Sequence, residues 1–202
     1  MNHTEPLDYG TFYHLYNRGN NGCDLFRETT NYEYFFDLYT KHIDPIAATY
    51  AWVLMKNHFH FLVRIKDLHQ SSAIPGSQNP EGLKQKPPYQ YFSNLFNAYT
   101  KAINKKYSRT GSLFEKNFHR KSVSTQDYLR KLVLYIHNNP VHHGFCKHPE
   151  EYPWSSYLSC ITVKPTKLCR EAVIGWFDDL ENFKHCHDNK VKADRIEKWL
   201  AL

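Results

Sequence analysis

Met55-Lys56-Asn57-His58-Phe59-His60-Phe61-Leu62-Val63-Arg64-Ile65 is the stretch on which the fold turns. Side chains alternate across a β-strand. From His58 onward, Phe59, Phe61, Val63 and Ile65 therefore make one apolar face, and His58, His60, Leu62 and Arg64 make the other. Immediately upstream, Ala47 to Met55 reads as a partner strand, with Lys56-Asn57 as the tight connection between the two. Further out, the aromatic-rich alternation from Thr11 to Asn17 predicts a first strand, ended by the turn residues Gly19-Asn20-Asn21-Gly22. Phe118 to Val123 predicts a last strand.

The segments between these strands change period. Tyr32, Phe35, Phe36, Tyr39 and Ile43 recur at helical spacing, with Thr30 and Glu33 as a capping box and Asp44-Pro45 as the stop. Phe92, Leu95, Phe96, Tyr99 and Ile103 give a second helix that Gly111 is placed to end. Tyr128, Leu129, Leu132, Val133 and Ile136 give a third, with Ser124 and Asp127 resembling a capping box and Pro140 closing it. The order strand, helix, strand, strand, helix, strand, helix predicts an α+β fold, a ferredoxin-like antiparallel sheet with helices on one face. Residues 1–145 form this core. Within them 66–88, rich in Ser, Gln, Pro, Gly and Lys without a period, read as a mobile surface loop. Residues 146–202 read as a mixed helical extension packed on the core.

A chain of 202 residues with 41% hydrophobic content is long enough for one packed core, and not disordered. Met1 to Gly10 has no apolar run, and no stretch is long enough to span a bilayer, so neither a signal peptide nor membrane association is expected. Five widely spaced cysteines suit free thiols in a reducing cytoplasm better than a disulfide framework. The net charge of +6 is concentrated. From Lys101 to Lys131 the bases Lys101, Lys105, Lys106, Arg109, Lys116, Arg120, Lys121, Arg130 and Lys131 face only Glu115 and Asp127. Such a block attracts polyanions, although a solvated lysine-rich face has the same composition.

Two imidazoles two residues apart on one strand face can reach a single divalent ion. The bland alternative is a pair of polar residues on a solvent-facing strand. Tyr135 and Asn139 lie four residues apart and so project from one helix face. A phenol is a covalent nucleophile and an amide oxygen a ligand for a hard cation. Spacing alone does not single out Tyr135 among 15 tyrosines.

Taken in order, these strings resemble a known family. Met55 to Val63 looks like the histidine–hydrophobic–histidine segment of the HUH single-tyrosine transposases, and within them the REP-associated tyrosine transposases and their relatives. Tyr135-Ile136-His137-Asn138-Asn139-Pro140-Val141 is similar to the helix end where that family carries its nucleophilic tyrosine. Tyr16-Asn17-Arg18-Gly19, Gly111-Ser112-Leu113-Phe114, Phe118 to Val123 and Tyr152-Pro153-Trp154-Ser155-Ser156-Tyr157 are similar to further family segments. The likeness runs from about Gly10 to Tyr157.

The resemblance implies a metal-dependent nuclease core. His58, His60 and Asn139 would hold Mg²⁺ or Mn²⁺, with asparagine standing where many relatives have the longer glutamine. Tyr135 would attack a DNA phosphodiester, leaving a 5′-phosphotyrosine and a free 3′-hydroxyl that allows rejoining. The implied partner is single-stranded or hairpin DNA in the bacterial cytoplasm, with monomer and homodimer both open. Arg18, Lys105, Lys106, Arg109, Lys116, Arg120 and Lys121 are the candidates for backbone contacts. Two rival functions stand beside this one: a binder of hairpin DNA or RNA that does not cut, and a hydrolase that uses water in place of Tyr135.

Overall fold

The computed structural model describes residues 5–67 and 86–188. Four strands form one sheet: β1 (Phe12–Arg18), β2 (Ala47–Met55), β3 (His58–Ile65) and β4 (His119–Val123), in the order β2-β3-β1-β4. Every neighbouring pair is antiparallel. The helices are α1 (Thr29–His42), α2 (Pro88–Lys106) and α3 (Gln126–His142), then the short α4 (Tyr157–Ile161), α5 (Arg170–Gly175) and α6 (Leu180–Asp188). This is the α+β order expected from the sequence. Most of the segment read as a surface loop, residues 68–85, and the last fourteen residues lie outside the described residues.

The alternation of β3 sorts the molecule into two layers of core. Phe59, Phe61, Val63 and Ile65 are buried with Tyr13 and Leu15 of β1 under α1 and α2. Phe35, Tyr39, Phe92, Phe96, Tyr99 and Ile103 supply the helical side of this layer. These are the helices the amphipathic pattern assigns to one face. The opposite face, which a one-sided reading leaves to solvent, is covered by α3. Leu132, Val133 and Ile136 pack there on Ala51, Val53, Met55 and Leu62. A helix with a buried stripe needs an apolar partner surface, and Leu62 with the β2 side chains provides it. Tyr128, expected in that stripe, is instead 39% exposed.

Helix ends differ from the sequence reading in three places. α1 starts after Glu28 and has no side-chain cap, so Thr30 lies inside it. The cap of α3 is Thr125, whose side chain accepts from the Tyr128 amide, one residue later than Ser124. α2 ends at Lys106, with Ser108 at a positive φ of 49°, before Gly111 is reached. Pro140 sits inside the last turn of α3. It lacks the amide hydrogen for that rung of the ladder, and His143 N–H to the Asn139 carbonyl at 3.1 Å closes the helix after it.

Residues 146–188 seal the outer edge of β2. Leu54 N–H donates to the Trp154 carbonyl and Ser156 N–H to the Trp52 carbonyl, each at 2.9 Å, around a bridge between Val53 and Ser155. An uncovered edge strand is a template for aggregation, and here it is paired. Trp154 stacks on Tyr32 of α1 with ring centroids 4.4 Å apart, so it anchors the extension as a packing residue. Among the described residues no helix is long and apolar enough to cross a membrane.

Candidate active site

β1 and β3 pair in a register that sets Tyr16 opposite His60 and Arg18 opposite His58. β4 adds His119 opposite Tyr16 and Lys121 opposite His14. The sheet face under α3 therefore carries a polar patch at one end, between the apolar residues below and the last turns of α3 above. A cleft of about 850 Å³ opens there, lined by Tyr16, Arg18, Asn57, His58, His60, His119, Tyr135 and His143 among others. Tyr135 thus reaches the same cleft as both histidines. Its ring meets His60 edge-on with centroids 5.3 Å apart, and it is 3% exposed.

The two histidines are held differently. His58 has Nδ1 2.8 Å from Asn57 Oδ1 and Nε2 2.9 Å from Asn139 Oδ1. Burial, followed by the nearby charges of His143 and Arg18, outweighs the Asn139 contact and lowers its pKa to about 4. The ring is neutral near pH 7 and owns one N–H for two amide oxygens. Nε2 and Asn139 Oδ1 lie close enough that, with Nδ1–H donating to Asn57 Oδ1, both could serve as ligands to one cation. His60 Nδ1 lies 3.0 Å from Nε2 of His14, which is fully buried on β1 and leaves Nδ1 without a partner. That contact occupies His60 Nδ1 and leaves Nε2 as its second ring nitrogen. Burial and the neighbouring His14 and His58 hold His60 well below the ordinary histidine pKa.

This donor set fits a divalent cation: two neutral imidazoles and the oxygen of Asn139, which is 1% exposed. No cluster of three or more His, Cys, Asp or Glu side chains arranged for a metal is found among the described residues; the set here is two histidines and an amide. Imidazole nitrogen suits Mn²⁺ better than Mg²⁺, which prefers an oxygen shell.

The predicted phosphate contacts separate into three groups. Arg18 stands at the cleft, bound through Nε to Glu115 Oε1 at 2.6 Å. Lys121 lies on the same sheet face, and Lys116 is exposed beside Glu115. Lys106 is instead committed to Glu28 at the start of α1, and Arg109 to Asn104 and Cys23 Sγ. Lys105 is exposed on the same helix end. Arg120 points the other way, onto the α2 face opposite Leu15, because β4 alternates between His119 and Lys121. Tyr107 and Phe114, weighed as base-stacking residues, are packing residues. Phe114 is 6% exposed in the core, and the Tyr107 hydroxyl donates to Glu28 Oε1 at 2.8 Å with Asn31 Oδ1 3.0 Å away.

Sequence reasoning missed His14, Tyr16, Asn57, His119 and Glu115. The alternation of His14, Tyr16 and His119 was visible, but only the strand register brings them to one place; Asn57 lies in the β2–β3 turn and Glu115 in the segment before β4.

The arrangement is that of an antiparallel α+β sheet carrying two histidines on a central strand, with a helix-borne tyrosine above them. The same fold occurs in the structure of a REP-associated tyrosine transposase bound to a REP hairpin. It aligns over 80% of this chain and 85% of that chain with a TM-score of 0.57 and 17% identity. A bacterial tRNA(His) guanylyltransferase-like protein in complex with GTP aligns at a TM-score of 0.40 with 11% identity over 68% of each chain, too low to indicate a shared fold. No family model and no curated protein matches the sequence.

Proposed function

We propose that the chain is a single-tyrosine DNA nuclease and strand transferase of the transposase type. The observation that carries this reading is the meeting of Tyr135, His58 and His60 in one cleft, with Asn139 one helical turn from Tyr135 and 2.9 Å from His58 Nε2. A pure binding protein has no need of neutral, buried imidazoles facing a phenol. The fold shared with a transposase that binds a DNA hairpin supports DNA carrying such a hairpin as the substrate.

His58, His60 and Asn139 would hold the cation, Mn²⁺ or Mg²⁺. When bound, that ion polarises a non-bridging phosphate oxygen and offsets the charge that builds at phosphorus. Tyr135 presents its oxygen to the scissile phosphorus. The Tyr–O–P bond forms as the P–O3′ bond breaks, the phenolic proton leaves and the 3′-oxygen takes one up. The link to the 5′-phosphate keeps the energy of the phosphodiester, so a 3′-hydroxyl can reverse the step without ATP. Arg18 and Lys121 flank the patch and would neutralise the strand entering it. α3 covers this face of the sheet, so the strand must bring its phosphate in past the helix end. An unpaired strand can bend to do so.

The test is covalent trapping. Single-stranded oligonucleotides from the DNA flanking the gene are incubated with the protein and Mn²⁺, then separated on a denaturing gel. The expected result is a shifted band that Tyr135→Phe abolishes and His58→Ala reduces about 100-fold or more. Cleavage that persists without Tyr135 would indicate attack by water. Sequence-selective binding with no cleavage under any metal would identify a binding protein.

A further inference from the structure

The register of the sheet lines up three rings along the Tyr135 cleft: His60 on β3, Tyr16 on β1 and His119 on β4. The His119 and Tyr16 rings stack with centroids 4.9 Å apart and planes 11° from parallel, and Tyr16 lies 5.7 Å from His60 on its other side. Two strand spacings separate the outer rings, which puts them about 10 Å apart. His119 thus stands clear of His60 and still lines the same cleft. It is exposed, and its ring nitrogens have no hydrogen-bond or ion-pair partner among the described residues.

Strand cleavage needs a source for one proton. When the Tyr135 oxygen bonds to phosphorus, the P–O3′ bond breaks and its electron pair stays on O3′. An alkoxide is a poor leaving group, so a proton delivered as the bond breaks accelerates the step. In-line displacement sets the entering and leaving oxygens on opposite sides of phosphorus. The Tyr135 ring meets those of His60 and His14, 5.3 and 6.4 Å away on β3 and β1, whereas His119 stands on β4. A phosphate between them meets the phenol from one side and the imidazole from the other.

Other proton carriers of the cleft are committed elsewhere. Asp24 is bound to Lys56 at 3.1 Å and Glu115 to Arg18 at 2.6 Å. His143 has its ring 5.1 Å from that of His58. Burial raises the Tyr16 phenol above its ordinary pKa, so it holds its proton. Lys121 lies opposite His14, further from Arg18 and His58 along the sheet. An imidazole in water exchanges its proton near neutral pH.

We propose that His119 is the general acid of strand cleavage and the general base of rejoining. In cleavage its ring N–H gives a proton to O3′, leaving a neutral imidazole. The phenolic proton of Tyr135 passes to solvent, and solvent reprotonates the exposed His119 ring. In rejoining, the neutral ring takes the proton of an incoming 3′-hydroxyl as that oxygen attacks the phosphotyrosine. The proposal rests on the nuclease reading given above.

The test changes the leaving atom. An oligonucleotide with sulfur in place of O3′ at the cut position releases a thiolate, which leaves without a proton because a thiol is far more acidic than an alcohol. Adduct formation with Mn²⁺ is followed in single turnover on this substrate and on the ordinary one. His119→Ala and His119→Gln should slow the ordinary substrate about 100-fold or more and cut the 3′-sulfur substrate at the rate of the unmodified protein. That full rate also shows that the variants are folded. His58→Ala should slow both substrates, and Tyr135→Phe should abolish both. Metal-free binding of the ordinary oligonucleotide, read by fluorescence anisotropy, should be the same for His119→Gln and the unmodified protein. Cleavage of the ordinary substrate by His119→Ala at the unmodified rate would overturn the proposal. So would an equal loss on both substrates, or a loss of binding that matches the loss of rate, since either marks a residue that only positions the strand. If the unmodified protein forms no adduct on either oligonucleotide, the nuclease reading itself falls, and this proposal with it.

Discussion

Asn57, Asn139 and His14 decide what the two central histidines can do. His58 sits between two amide oxygens, and His60 hands one ring nitrogen to a neighbouring imidazole. Outer partners of this kind orient a ligand and fix its tautomer. Removing His14 should therefore lower Mn²⁺ affinity about 10-fold to 100-fold, read by electron paramagnetic resonance of free Mn²⁺, with Tyr135 still in place. Unchanged affinity in His14→Ala would show that His60 is oriented without it. The histidine pair was legible in the sequence, because a strand's alternation puts positions 58 and 60 on one face. His14 was not. It lies on a different strand, and only the pairing of His14 with Leu62, next to His60, brings it within 3.0 Å. Arg120 was legible as a base but not as to side, since one residue of register separates it from Lys121.

At the scale of elements, α3 is held from both ends of the fold. His187 of α6 donates from Nδ1 to the Phe183 carbonyl, so its Nε2 accepts from His137 Nδ1 at 2.9 Å. His137 Nε2 then accepts from the Ser156 hydroxyl at 2.8 Å, and Ser156 Oγ accepts from the Trp52 amide. This directed chain joins the helix that carries Tyr135 to β2 and to the C-terminal extension. Breaking it with His187→Ala should cost about 1–3 kcal/mol, the penalty of a buried donor left unpaired, measured by urea denaturation. A change under about 0.5 kcal/mol would mean the chain carries no weight.

The same elements fix the response to acid. Burial lowers His14 to about 3 and His58 and His187 to about 4, and holds His60 and His137 below the ordinary value as well. Below about pH 6.5 the unfolded chain binds protons that the folded chain refuses, so stability falls as pH falls through that range. Each such group contributes up to about 1.4 kcal/mol per pH unit. The metal-free protein should melt at a clearly lower temperature at about pH 5.5 than at about pH 7.5. Equal melting temperatures would contradict the buried, neutral state of these rings. Helix positions were readable from their periods, but not this network, whose members come from four segments far apart in sequence.

Across the whole molecule, the basic residues divide by position: Arg18 lines the cleft, Lys121 lies on the histidine face of the sheet, and Lys106 stands at the end of α2 against Glu28. The sequence shows a run of lysines and arginines, but it does not show that Lys106 is paired with Glu28 and Tyr107 or that Lys121 shares a face with His60. Salt titration of single-stranded DNA binding separates them. Lys121→Ala should reduce the slope of log K against log salt by about 0.7, while Lys106→Ala leaves it unchanged. The reverse pattern would place the strand at the end of α2. The layer order was partly legible as well. Alternation in β3 gave the α1 and α2 face, whereas the cover on the other face depends on where α3 and the extension dock.

The most direct measurement is to map the covalent adduct. Protein trapped on a single-stranded oligonucleotide with Mn²⁺ is digested with nuclease and protease, and the modified peptide is sequenced by mass spectrometry. The account predicts a 5′-phosphonucleotide on Tyr135 alone, with a free 3′-hydroxyl on the released strand. An adduct on another residue, or cleavage that leaves none, would contradict it.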